Sequence, residues 1–107
     1  MKRGEIWTVS GGDYAGKPRP AVIIQVDAFV HLDSVTICPF TTDDRGSEIV
    51  RIRVQPSTGN GLQSPSMLMA DKITTLPKGR LGRKIGSLDA DDLRRVEIAI
   101  LAFLGLA

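Results

Sequence analysis

Apolar positions fall in short bursts along most of this chain and in one helical stripe at its end. Gly4-Glu5-Ile6-Trp7-Thr8-Val9-Ser10 alternates well enough to predict a first strand. Pro20-Ala21-Val22-Ile23-Ile24-Gln25-Val26 is a nearly continuous β-branched run, expected of a strand covered on both faces or closed into a barrel. After a polar, irregular stretch over 27–33, Ser34-Val35-Thr36-Ile37-Cys38 restarts the strand pattern, and Pro39 is expected at its bend or edge. Period two over 48–54 turns Val50, Ile52 and Val54 inward and Arg51 and Arg53 outward. A turn-rich stretch over 55–65 leads to a strand over 66–71 and a short continuation over 73–76.

From Leu88 the period changes. Asp89 suits a helix N-cap, Asp91 and Asp92 suit the positive end of the helix dipole, and Leu88 with Leu93 has staple spacing. Leu93, Val96, Ile100 and Phe103 or Leu104 then recur at helical spacing. Over 98–104 the helix is apolar almost all round, which predicts either deep burial or a contact between two copies. The expected fold is mainly β (α+β): five or six short strands and a terminal helix, in one domain over 1–107. A small, strongly bent β-barrel with the helix against it is the economical packing.

With 107 residues, 42% hydrophobic and 24% charged, the chain can bury one modest core. The net charge of +2 is too small to imply nucleic acid by itself. Its distribution says more: Lys72, Lys78, Arg80, Arg83 and Lys84 fall within 72–87 with no acid among them. Such a run is either a solvated face or a phosphate-binding surface. The single cysteine, Cys38, rules out a disulfide within the chain and suits a reducing compartment. No apolar segment follows the charged N-terminus, and 98–107 is too short to span a bilayer. A cytoplasmic location with no membrane contact is expected.

One histidine and one cysteine cannot build a zinc cluster, and no P-loop or dinucleotide fingerprint is present. His31 sits in a polar loop with no nucleophile motif near it, so a Ser-His-Asp hydrolase is not indicated. More pointed is Lys17-Pro18-Arg19-Pro20, which pins a five-donor cation between two prolines at the mouth of an apolar strand. Arg19 there serves either an ion pair or an anion. Thr41 and Thr42 end the 34–40 segment, and Asp71 and Lys72 end another. Threonines at a strand end are ordinary turn formers. Together with a fixed cation they also suit a phosphodiester, whose cleavage needs proton transfer and positive charge against a developing phosphorane.

These pieces occur in an order that resembles the MazF/PemK-type toxins, within the CcdB/PemK/MazF superfamily. The resemblance rests on Arg3-Gly4-Glu5-Ile6-Trp7, Gly16-Lys17-Pro18-Arg19-Pro20 and Val35-Thr36-Ile37-Cys38-Pro39-Phe40-Thr41-Thr42. It continues through Asn60-Gly61-Leu62, the strand ending at Asp71, and Leu81-Gly82-Arg83-Lys84-Ile85-Gly86-Ser87-Leu88. It implies a small SH3-like barrel with a C-terminal helix, usually a homodimer, and no cofactor or metal. It further implies sequence-selective cleavage of single-stranded RNA to a 2′,3′-cyclic phosphate, blocked by a cognate acidic antitoxin. Carried onto this chain, Arg19 and Thr41 match the family's catalytic positions. Lys17, Thr42, Asp71, Lys72, Arg83 and Lys84 become expected RNA contacts. Two alternatives stand beside this: a CcdB-like gyrase poison, although the only tryptophan is Trp7 and not near the C-terminus, and an RNA-binding SH3-like module without catalysis.

Overall fold

The structure, a computed structural model, describes residues 1–11 and 17–107. The glycine-rich loop expected over 11–16 lies, from residue 12 onward, outside the described residues. Among the described residues seven strands and one α-helix are formed: β1 (Glu5–Val9), β2 (Arg19–Ile23), β3 (Ser34–Thr41), β4 (Arg51–Val54), β5 (Ser66–Met69), β6 (Thr74–Pro77), β7 (Leu81–Ser87) and α1 (Ala90–Phe103). Every strand pairing is antiparallel, and the ladder runs β4-β5-β3-β2-β1-β7, with β6 also on β3.

The architecture turns on β3. One edge holds β2, in the register Ala21↔Pro39 to Ile23↔Ile37. The other edge is shared: β6 pairs with residues 34–37 and β5 with Phe40 and Thr41. Pro39 was expected at a bend or edge, yet it lies inside β3. Ile24 donates to the Thr36 carbonyl at 3.2 Å. In an antiparallel ladder the hydrogen-bonded positions alternate, so residues 36 and 38 bond towards β2 and Pro39 faces away from it. Its nitrogen, which has no hydrogen to donate, therefore points at the seam where β6 has ended and β5 has not begun.

The near-continuous apolar run of β2 has a direct explanation, because the strand is buried on both faces. Val22 enters a cluster with Ile6, Phe40, Ile52, Leu68 and Val96, on the side that α1 covers. Ala21 and Ile23 enter a second cluster with Val9, Val35, Ile37 and Leu76. The predicted phase of β4 holds: Ile52 and Val54 are buried, Val50 packs against the first cluster, and Arg53 is exposed.

Elsewhere the boundaries move. The strand expected over 66–71 stops at Met69, and Ala70–Lys72 form a turn of 3-10 helix. β7 has no counterpart among the expected strands, because two glycines and two basic residues interrupt its alternation. The expected barrel is not closed by a ladder: among the described residues β4, β6 and β7 each pair with a single strand of a strongly bent sheet. The loop leaving β4 lies across β7 instead, where Ser87 donates to the Gly59 carbonyl at 2.9 Å.

Asp89 caps α1 by accepting from the Asp92 amide at 2.8 Å. Val96 and Ala99 are buried, but the deep burial expected around the C-terminal turns does not occur. Ile98 is 59% exposed, Leu101 41% and Phe103 50%. A sheet that presents one face to α1 covers one side of it and leaves the other to solvent. Among the described residues no helix is long and apolar enough to cross a membrane.

Candidate functional site

The β2–β3 register decides which residues meet. Its last pair is Ala21↔Pro39, and two residues beyond it on the two strands stand Arg19 and Thr41. Arg19 also pairs with Val9 on β1, and Thr41 with Met67 on β5, so the two sit in the middle of the bent sheet rather than at its margin. The same step along β5 brings Ser66 beside Thr42. Lys17, Arg19, Thr41, Thr42 and Ser66 thus line one cavity of about 190 Å³, with Pro18, Pro20 and Phe40 as its apolar walls.

Arg19 is exposed, and among the described residues its guanidinium makes no hydrogen bond or ion pair. The Thr41 hydroxyl accepts from the Asp43 amide at 3.1 Å, the local turn bond anticipated for such a residue. That bond occupies a lone pair and leaves the hydroxyl hydrogen free. Asp43 is in turn held by Arg45 through paired contacts of 3.0 and 2.8 Å, which keeps its carboxyl well below the usual carboxylate range.

A second, larger cavity of about 650 Å³ continues from the first and shares Lys17, Pro18, Pro20, Thr42 and Ser66 with it. Arg83 and Thr8 stand on one side, and Gly61, Leu62, Gln63 and Ser64 on the other. The Thr8 hydroxyl accepts from the Arg83 amide at 3.0 Å, fixing the β7 wall to β1. Of these residues, Thr8, Gln63, Ser64 and Ser66 escaped sequence reasoning. Ser66 enters through the β3–β5 register, which no side-chain pattern displays, and Gln63 lies in the turn-rich stretch over 55–65 with no signal of its own.

Other expected contacts lie elsewhere. Asp71 does not line either cavity; Arg51 grips its carboxylate with bonds of 3.0 and 3.1 Å, which lowers its pKa. Lys84 reaches Glu5 at 3.2 Å. Burial pushes the Glu5 carboxyl up, but hydrogen bonds from the Trp7 indole, the Lys2 amide and Lys84 outweigh it and hold the pKa at about 2. Lys72 is exposed and outside both cavities. From the same basic run, Arg80 binds the Ser10 carbonyl at 2.7 Å and Lys78 the Val30 carbonyl. Much of that run is therefore neither a free solvated face nor a phosphate surface: it ties strands and loops together.

The described residues form a small bent β-sheet with one packed helix, and cations and hydroxyls line its groove. Residues 2–104 match the family model for the PemK-like, MazF-like toxins of type II toxin-antitoxin systems, and the chain belongs to that family. It is 46% identical to a probable endoribonuclease MazF from Mycolicibacterium smegmatis, over 100% of this chain and 99% of that one. Among solved structures it resembles toxin MazF-mt6 from Mycobacterium tuberculosis, with TM-score 0.81, 32% identity and coverage of 96% and 98%. It also resembles an endoribonuclease solved in complex with its cognate antitoxin from a mycobacterial species, with TM-score 0.82, 25% identity and coverage of 100% and 97%. Neither the gyrase-poison nor the non-catalytic alternative finds support among these relatives.

Proposed function

We propose that the chain acts as the endoribonuclease toxin of a toxin-antitoxin pair, and that the Arg19–Thr41 cavity holds the scissile phosphate of single-stranded RNA. The observation that carries this reading is one cavity lined both by Arg19, which makes no hydrogen bond or ion pair among the described residues, and by a threonine whose hydroxyl hydrogen is free. In the reaction the 2′-oxygen attacks phosphorus, losing its proton, and the bond from phosphorus to the 5′-oxygen breaks as that oxygen takes up a proton. The products are a 2′,3′-cyclic phosphate and a 5′-hydroxyl. Arg19 supplies two parallel N–H donors to the non-bridging oxygens, which gain charge as the phosphorane forms. Thr41 donates to one of the same oxygens and fixes its orientation. Lys17 and Arg83 meet the neighbouring phosphates, and Thr42 adds a hydroxyl between them. No metal is needed for these steps.

The test is cleavage of a long single-stranded RNA in EDTA, with the new ends mapped. Arg19→Ala should lower kcat about 10²- to 10³-fold, the usual effect of removing a donor to a developing oxyanion. Intact RNA after prolonged incubation with stoichiometric wild-type protein would refute the reading.

Two partners follow from the same surface. An acidic antitoxin segment fits a groove lined by Lys17, Arg19 and Arg83, and it would displace RNA by occupying them. A second copy of the chain fits the apolar side of α1, where Ile98, Leu101 and Phe103 face solvent. A cytoplasmic site of action agrees with the RNA target and with a single free cysteine that is buried.

A further inference from the structure

We infer that the larger cavity is a nucleobase pocket and that the Gln63 side chain is its specificity-determining group. The inference rests on the RNA-cleaving reading above. The cavity adjoins the proposed phosphate position and, at about 650 Å³, has room for a nucleotide beside it. Its lining combines two kinds of surface. Pro18, Pro20, Leu62 and Ile85 supply apolar area for the flat face of an unstacked base. Gln63, exposed and without a side-chain hydrogen bond among the described residues, offers one acceptor and two donors for its edge.

The wall that carries Gln63 is held firmly. Asn60 is 4% exposed, and its side chain bonds to the Ser57 amide, the Leu62 amide and the Gln55 carbonyl at 3.0, 2.9 and 2.8 Å. Gly61 follows with φ +69°, and a Cβ there would stand 2.1 Å from the Ile85 carbonyl oxygen. The backbone thus approaches β7 as closely as a glycine allows. Gln63 projects from an anchored loop, so its amide is presented to a base at little ordering cost. The two serines nearby are weaker readers, since Ser66 already donates to the Ser64 carbonyl at 3.0 Å.

The experiment uses wild type, Gln63→Leu and Gln63→Glu against RNA oligonucleotides built on the mapped cut site. One base flanking the cut is varied through all four identities, and this is repeated on each side. Binding of single-stranded DNA of the same sequences is measured in parallel, because DNA lacks the attacking hydroxyl and stays uncut. At one flanking position Gln63→Leu should shrink the ratio of kcat/KM for the best and worst bases by roughly tenfold. Gln63→Glu, which keeps acceptors and loses donors, should change which base is best. Unchanged ratios in both variants would overturn the inference, as would a uniform fall in rate for all four bases. Where wild type leaves every RNA uncut, sequences selected for binding from a random single-stranded DNA pool replace the mapped site, and base-selective binding that depends on Gln63 would refute the endoribonuclease reading and leave the pocket standing.

Discussion

Replacing Asn60 by alanine should be among the most damaging single changes in the molecule, although the residue is polar and lies in a turn-rich loop. Its Oδ1 accepts from two amides and its Nδ2 donates to the Gln55 carbonyl, so truncation orphans three backbone groups at once. Ser57 and Gln55 are exposed, and water can take over there at small cost. Leu62 is buried, and its amide would lose its partner outright. One buried orphan costs about 1–3 kcal/mol and each rehydrated bond a fraction of that, giving about 3 kcal/mol in all. Against a total stability of about 5–15 kcal/mol that is a large share. Urea unfolding followed by Trp7 fluorescence would measure it, as a midpoint lowered by about 2 M at an unchanged slope. The fluorescence has a single source, since the chain holds one tryptophan. A loss below about 1 kcal/mol would show that the loop finds other partners, and the argument for an anchored wall would fail with it.

Acid should destabilise the fold through Glu5. Its folded pKa is depressed from 4.5 to about 2, so its contribution is complete above pH 4.5 and fades as pH falls from there towards 2. The effect amounts to up to about 3 kcal/mol, and Glu5→Gln should flatten the pH dependence of the urea midpoint in that window; a parallel profile in the variant would assign the acid sensitivity elsewhere. Wild type should scatter light as a dimer at micromolar concentration and Leu101→Lys as a monomer; a monomeric wild type would overturn the proposed pairing, and an unchanged mass in the variant would remove α1 from it.

The periodic elements were the legible part of the fold. Strict alternation set the phase of β4, and a run apolar at every position marked β2, since a strand buried on both faces has no polar side to show. The capping aspartates fixed the start of α1 because that signal is local. β7 was opaque for the opposite reason: Gly82 and Gly86 are there for close approach to Thr8 and Asn60, and they interrupt the side-chain pattern. The exposed apolar face of α1 depended on what sat against it, which a single chain's pattern does not encode. In the site, Arg19 and Thr41 could be singled out as chemistry and matched through the resemblance. Their meeting is a matter of strand register, and the groove beyond them is built from loop residues whose order rests on the hydrogen bonds of Asn60.

Pro39 lets the hub strand exchange neighbours without stranding a donor in the interior. It is buried within β3, and any other residue at that position would aim an N–H into the gap between β6 and β5, with no strand there to receive it. A buried donor left unpaired costs about 1–3 kcal/mol. By having no hydrogen to offer, the imino acid removes that cost, and β3 passes from one partner to the next in mid-strand.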